Sequence, residues 1–191
     1  MPPVKAVFYD MDGTITRPNI NWPKLKAAMG VPDGVFILEF LDTLSPAERK
    51  RREKILLDTE REAAAGAELN PGVREVLDRL RAAGVKQGLV TNNSVRSART
   101  VIKRLKLKFD LVLTRADGPA KPRGDLLHLA VRRLGVAVDE TIYVGDGRMD
   151  VEAALDAGMR FVLLASSPDA PAWQTTIGSF VDLPPLVGLG S

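Results

Sequence analysis

Apolar residues recur along this chain with two different periods, and the alternation between them sets the expected fold. Val4 to Tyr9 is a short apolar run that stops abruptly at Asp10-Met11-Asp12-Gly13-Thr14. A run of that length ending in a polar loop predicts a buried parallel strand. Similar runs at Val85 to Thr91, Asp110 to Leu113, Thr141 to Gly145 and Met159 to Ala165 predict further strands. Between them the apolar spacing changes to that of helices. Val95, Ala98, Ile102 and Leu105 would pack one helix face on the sheet, leaving the basic residues between them to water. From residue 71 onward strand and helix alternate, which predicts right-handed crossovers and an α/β, Rossmann-like, doubly wound parallel sheet. Ligands of such sheets bind at the carboxyl ends of the strands.

Residues 15–70 break the alternation. They read as several helices with no strand, so an α-helical cap is expected between the first and second strands, with residues 1–14 and 71–191 forming the core. The cap's clearest element starts at Ser45-Pro46-Ala47-Glu48, a capping box with proline in the first turn, and runs to about Gly66. Asn70-Pro71 offers an N-cap and first-turn proline for the next helix, which Gly84 would stop. Beyond about Pro168 the chain is rich in proline and glycine, and Phe180 to Val187 suggests a last short strand and a docking segment.

Composition narrows the chemistry. At 191 residues, 45% hydrophobic and 27% charged, the chain is long enough and apolar enough for one packed core. Absence of cysteine removes disulfides, thiolate metal sites and cysteine nucleophiles. No stretch reads as a signal peptide or a membrane span, so a cytoplasmic protein, monomer or homodimer, is the expectation. The net charge of +3 is spread out, residues 15–70 carrying nine basic and nine acidic side chains. The run Glu48 to Lys54 is balanced by Asp58, Glu60 and Glu62 and reads as a solvated helix face. With only two tryptophans and two tyrosines for stacking, no nucleic-acid partner is expected.

Four carboxylates stand out. Asp10 and Asp12 follow the first strand, with Gly13 letting the chain turn so that both face one pocket. Asp146 and Asp150 follow the strand Thr141 to Gly145, one helical turn apart. Oxygen-only ligands suit a hard cation such as Mg2+ and fit zinc poorly. Thr91-Asn92-Asn93 closes the second strand in a turn suited to an anion, and Lys121 supplies a positive charge after the third. Single aspartates at strand ends are often ordinary turn residues, but the set together describes a phosphate pocket. Gly145-Asp146-Gly147 only begins like a dinucleotide fingerprint, because Asp150 occupies the last glycine position. His128 reads as a helix-packing or surface residue, and Asn92-Asn93-Ser94 as an unmodified turn.

Asp-Met-Asp-Gly-Thr from Asp10, Thr-Asn at Thr91, Lys-Pro at Lys121 and Gly-Asp-x-x-x-Asp from Gly145 together resemble the haloacid dehalogenase superfamily. The resemblance spans nearly the whole chain and points to its phosphatase-type branch with a small helical cap, the branch of phosphoglycolate phosphatase and beta-phosphoglucomutase. It implies attack on phosphorus by Asp10, with Asp12 protonating the leaving group and later activating water. It also implies Mg2+ held by Asp10, the Asp12 carbonyl and Asp146, with Asp150 acting directly or through water. Thr91, Asn92 and Lys121 would bind phosphate oxygens. The expected function is therefore Mg-dependent hydrolysis of a small phosphorylated metabolite. A phosphomutase, or a regulatory protein that binds a phosphate ligand without catalysis, are the alternatives, and the acid at Asp12 disfavours dehalogenation. One departure matters: Ile15-Thr16-Arg17-Pro18 replaces the acidic residue that many capped relatives carry there, so familiar substrates do not transfer. Arg17, Asn19, Asn21 and Trp22 are conceivable contacts to the leaving group, with loop and packing roles as the ordinary expectation.

Overall fold

A computed structural model describes residues 2–165 and 173–190. Its elements run in chain order β1 (Ala6–Tyr9), α1 (Trp22–Met29), α2 (Ile37–Asp42), α3 (Pro46–Ala65), α4 (Val73–Ala82), β2 (Lys86–Val90), α5 (Val95–Arg104) and β3 (Leu111–Leu113). There follow α6 (Asp125–Leu134), β4 (Thr141–Gly145), α7 (Arg148–Asp156), β5 (Arg160–Leu164), β6 (Thr176–Ile177) and α8 (Leu183–Leu186). The strands form one sheet in the order β3-β2-β1-β4-β5-β6, every pair parallel. The α/β doubly wound core expected from the alternation is present.

The sheet is buried on both faces because β1 alternates within an apolar run. Val7 and Tyr9 point into a cluster with Val76, Leu77 and Leu80 of α4 and Ala98 and Val101 of α5. Ala6 and Phe8 point to the other face, against Leu126, Leu127 and Ala130 of α6 and Ala153 and Ala154 of α7. Gly88 of β2 is needed there, since a Cβ would lie 2.6 Å from the Phe8 ring. Register decides where the chemistry falls. Tyr9 is level with Leu89 of β2 and Val144 of β4, so the residues just past all three strands open onto one edge.

Three helices, α1 to α3, occupy the connection from β1 to α4. Ser45 caps α3 by accepting from the Glu48 amide, and α1, α2 and α3 share their own apolar cluster of Leu25, Met29, Ile37, Leu41 and Leu56. The two ends of this excursion meet where Thr16 bridges Leu69. Among the described residues no helix is long and apolar enough to cross a membrane.

Two local expectations need correction. Asn70 does not cap α4, whose N-cap is Gly72; its amide instead donates to the carbonyls of Gly13 (2.8 Å), Thr14 (2.8 Å) and Thr16 (3.2 Å). The long-range acceptors outbid the local cap because the buried carbonyls of that loop would otherwise be unpaired. The last strand is β6, earlier than expected. Phe180–Asp182 is a single 3-10 turn leading into α8, because Pro184 and Pro185 carry no amide for a ladder and suit a helix start. Pro168, where the proline- and glycine-rich tail was expected to begin, lies outside the described residues.

Candidate active site

Just past β1 the backbone stays in register for one more residue, the Asp10 amide donating to Val144 (2.9 Å), and then turns sharply. The turn closes through Thr16 N to Met11 O (2.8 Å) and Gly13 N to Thr16 O (2.9 Å), with Gly13 at φ +89°. Asp10 and Asp12, two residues apart on either side of the start of this turn, both line one cavity. Gly13 also has a packing reason. A Cβ there would lie 2.1 Å from Asp146 Oδ2, so the β1 loop approaches the β4 loop closely only because the side chain is absent. Thr14 completes that approach by donating to Asp146 Oδ1 (2.9 Å).

Lys121, only 4% exposed, is the electrostatic centre. Its ammonium donates to Asp10 Oδ1 (2.6 Å), Asp150 Oδ1 (2.6 Å) and the Tyr143 hydroxyl (2.8 Å). Asp150 is fully engaged: Tyr143 donates to Oδ1 (2.6 Å), and the amides of Asp146 (3.3 Å) and Gly147 (3.2 Å) donate to Oδ2. A Cβ on Gly145 would sit 2.5 Å from that of Asp150, so this arrangement too depends on a missing side chain.

Burial and crowding of charge set the protonation of these groups. Burial pushes Asp10 well above the usual carboxylate range, Lys121 opposing and the other three aspartates reinforcing it. Asp12 is raised chiefly by burial, with the Asn93 amide pulling it back and Glu60 adding to it. Asp146 is pushed up to about 7 by burial and then by the Asp150 charge. Burial alone would lower Lys121, but Asp10 and Asp150 outweigh it and hold the ammonium charged.

All seven residues expected from the sequence line this cavity: Asp10, Asp12, Thr91, Asn92, Lys121, Asp146 and Asp150. Their engagement differs. Asn92 exchanges side-chain bonds with the Lys121 backbone, donating to its carbonyl (2.8 Å) and accepting from its amide (2.9 Å). The Thr91 hydroxyl accepts from the Asn93 amide (3.2 Å). Of the cap contacts considered, only Trp22 reaches the cavity. Arg17 and Asn19 bond the carbonyls of Leu69 and Ala63, and Asn21 caps α1.

Sequence reasoning missed several members. Asn93 donates to Asp12, and Tyr143 holds both Lys121 and Asp150. Glu60 is not a solvated acid of α3. It is 3% exposed, pairs with Arg115, and accepts from the Ser94 amide (3.1 Å), while Arg115 also donates to Asn92 O (2.7 Å). The signal was available: Leu56, Glu60 and Ala64 recur at helical spacing on the buried stripe of α3.

Oxygens of Asp10, Asp146 and Asp150 lie within 4.8 Å of one another. An all-carboxylate donor set with no imidazole or thiolate fits a hard divalent cation. The cavity above it has a volume of about 290 Å³.

Known proteins carry the same frame. The model of the haloacid dehalogenase-like hydrolases matches residues 4–158. A hydrolase of Saccharomyces cerevisiae is 35% identical over 172 residues, 84% of this chain and 77% of that protein. The N-acetylmuramic acid 6-phosphate phosphatase of Pseudomonas aeruginosa is 29% identical over 180 residues, 82% of this chain and 80% of that one. A haloacid dehalogenase-superfamily hydrolase from Ehrlichia chaffeensis shares the fold with a TM-score of 0.71 at 21% identity, covering 98% of both chains. With its family match running from the first strand past α7, and with the carboxylates of β1 and β4 gathered around Lys121, this chain belongs to the haloacid dehalogenase-like hydrolases.

Proposed function

We propose that this enzyme, a phosphatase of that family, removes phosphate from a small phosphorylated metabolite through an aspartyl-phosphate on Asp10. The observation that carries the reading is that Asp10 and Asp12 line one cavity in different settings, Asp10 held by Lys121 and Asp12 by Asn93. The Asp10 carboxylate attacks phosphorus as the ester P–O bond breaks, and Asp12, whose burial favours the protonated form, gives its proton to the departing oxygen. Asp12, now a carboxylate, takes a proton from the water that attacks the acyl phosphate, which frees phosphate and restores both acids. Lys121 and the Thr91-Asn92 turn stabilise the phosphoryl oxygens. Mg2+, held by Asp10, the Asp12 carbonyl and Asp146, with Asp150 acting directly or through water, would supply further charge neutralisation for the transferring group. Asp150 also orients Lys121 through the bond described above.

Residues 15–70 serve as the cap over a core of 1–14 and 71–191, the chain crossing between them at the Thr16–Leu69 bridge. The test is phosphate release from a panel of esters with Mg2+ and with chelator. Asp10→Asn is expected to lower the rate at least about a thousandfold, and chelator to abolish it. Release that survives Asp10→Asn would refute the covalent route.

A further inference from the structure

The wall of the cavity opposite the carboxylates is hydrocarbon. Trp22 of α1, Phe36, Ile37 and Leu38 at the start of α2, and Leu56 of α3 form it. Trp22 is 42% exposed, so a large apolar face is left for water on a wall that looks toward the chemistry. The polar groups of that wall each have a partner within the protein. Glu60 has Arg115 and the Ser94 amide, Lys26 donates to the Val35 carbonyl (2.9 Å), and Arg148 pairs with Glu152 (2.6 Å) while its guanidinium lies 5.6 Å from the centre of the Phe36 ring. Size points the same way. A cavity of about 150 Å³ already holds a benzene ring, and this one, at about 290 Å³, has room for a phosphate and a ring together.

We infer that the leaving group is an uncharged alcohol carrying an apolar ring, which Trp22 and Phe36 cover, and not a short hydroxy acid. This rests on the phosphatase reading and adds the substrate class to it. A carboxylated leaving group would bring a further negative charge into a cavity that already holds five acids. A ring adds no charge and releases water from Trp22 and Phe36. Arg148, stacked on Phe36, marks the core side of the same apolar surface.

The test compares acetyl phosphate, ethyl phosphate, benzyl phosphate and phosphoglycolate with the magnesium-loaded protein, reading kcat/KM for each. Acetyl phosphate asks nothing of the apolar wall and reports the Asp10 chemistry alone. Benzyl phosphate is expected to exceed both ethyl phosphate and phosphoglycolate by about tenfold or more, the scale of burying one ring. In Trp22→Ala and in Phe36→Ala the benzyl-to-ethyl ratio is expected to fall about fivefold or more. A ratio is insensitive to the fraction of protein folded, so a damaged cap does not imitate the result. Phosphoglycolate preferred over benzyl phosphate, with that preference lost in Lys26→Met, overturns the inference, as does a ratio unchanged in both aromatic variants. Either outcome with Asp10-dependent acetyl phosphate release leaves the phosphatase reading standing. No Asp10-dependent release from acetyl phosphate removes both.

Discussion

On the floor of the cavity Lys121 is held by two carboxylates and a phenol, all within 2.8 Å, whereas on the opposite wall Lys26 reaches one backbone carbonyl and Trp22 stands open to solvent. The floor is made of ionisable groups that are tolerable when buried only because each is hydrogen-bonded, and it is fixed to strand ends whose register the whole sheet enforces. The wall is made of apolar side chains on three helices with a small cluster of their own. Charge, burial and missing side chains therefore tie the chemistry to the core. The wall, held by hydrocarbon contacts, is free to vary with the leaving group.

Two glycines sharpen this difference most. Gly13 and Gly34 both sit at positive φ, +89° and +77°, yet a Cβ on Gly13 would strike Asp146 at 2.1 Å while one on Gly34 would meet nothing within 4 Å. Gly13→Ala is expected to push the β1 and β4 loops apart and to lower phosphate release about a hundredfold or more, with loss of magnesium binding by calorimetry. Gly34→Ala carries only the backbone strain, about 1–2 kcal/mol, and should keep its activity. Equal damage from both would erase the distinction between floor and wall.

One buried pair crosses the boundary. Glu60 on α3 and Arg115 after β3 join the cap to the carbonyl of Asn92 and, through Ser94, to the start of α5. Glu60→Ala leaves the largely enclosed Arg115 without its counter-charge and is expected to cost about 3–5 kcal/mol in urea unfolding. It should also raise KM, since α3 loses its tie to the Asn92–Ser94 turn that lines the cavity. A loss below about 1 kcal/mol would make it an ordinary surface pair. Next in size, Leu41→Ala in the cap and Leu89→Ala in the sheet each remove a fully buried side chain, at about 2–5 kcal/mol. Hydrogen exchange should separate them, Leu41→Ala loosening α1 to α3 alone and Leu89→Ala lowering protection throughout the core.

The same division governed what could be read from the residues. Strands β1 to β5 announce themselves as apolar runs, because a sheet covered on both faces needs them. The aspartates at their ends are legible because a hard-cation site needs several carboxylates close together. Glu60 was hidden because its partner is 55 residues away in sequence, and an acid in a charged helix looks solvated until the fold turns its stripe inward. Tyr143, Asn93 and Thr14 escaped for a related reason: each bonds an aspartate of the cavity from another segment. Residues 180–187 misled because their apolar content resembles a strand while Pro184 and Pro185 forbid one.

The smallest expected effect concerns the floor's own charge. Asp146 is raised from an ordinary value of 3.8 to about 7, first by burial and then by Asp150. In the metal-free protein the folded state therefore keeps a proton that the unfolded chain has already lost between those two values. Folding stability should fall as pH rises through that window, the reverse of a carboxylate stabilised by an ion pair. Ligation of Mg2+ needs the proton gone, so added magnesium should raise Tm more at about pH 8 than at about pH 6. At tenfold excess over Kd the gain is about 1.4 kcal/mol, or about 3–6 °C for a chain of this size. Asp146→Asn should remove the magnesium shift and Asp146's own share of the pH slope. A slope that persists in Asp146→Asn would belong to Asp10 or Asp12, which burial also raises. A magnesium shift that persists would place the cation on Asp10 and Asp150, leaving Asp146 to hold the β1 loop through Thr14.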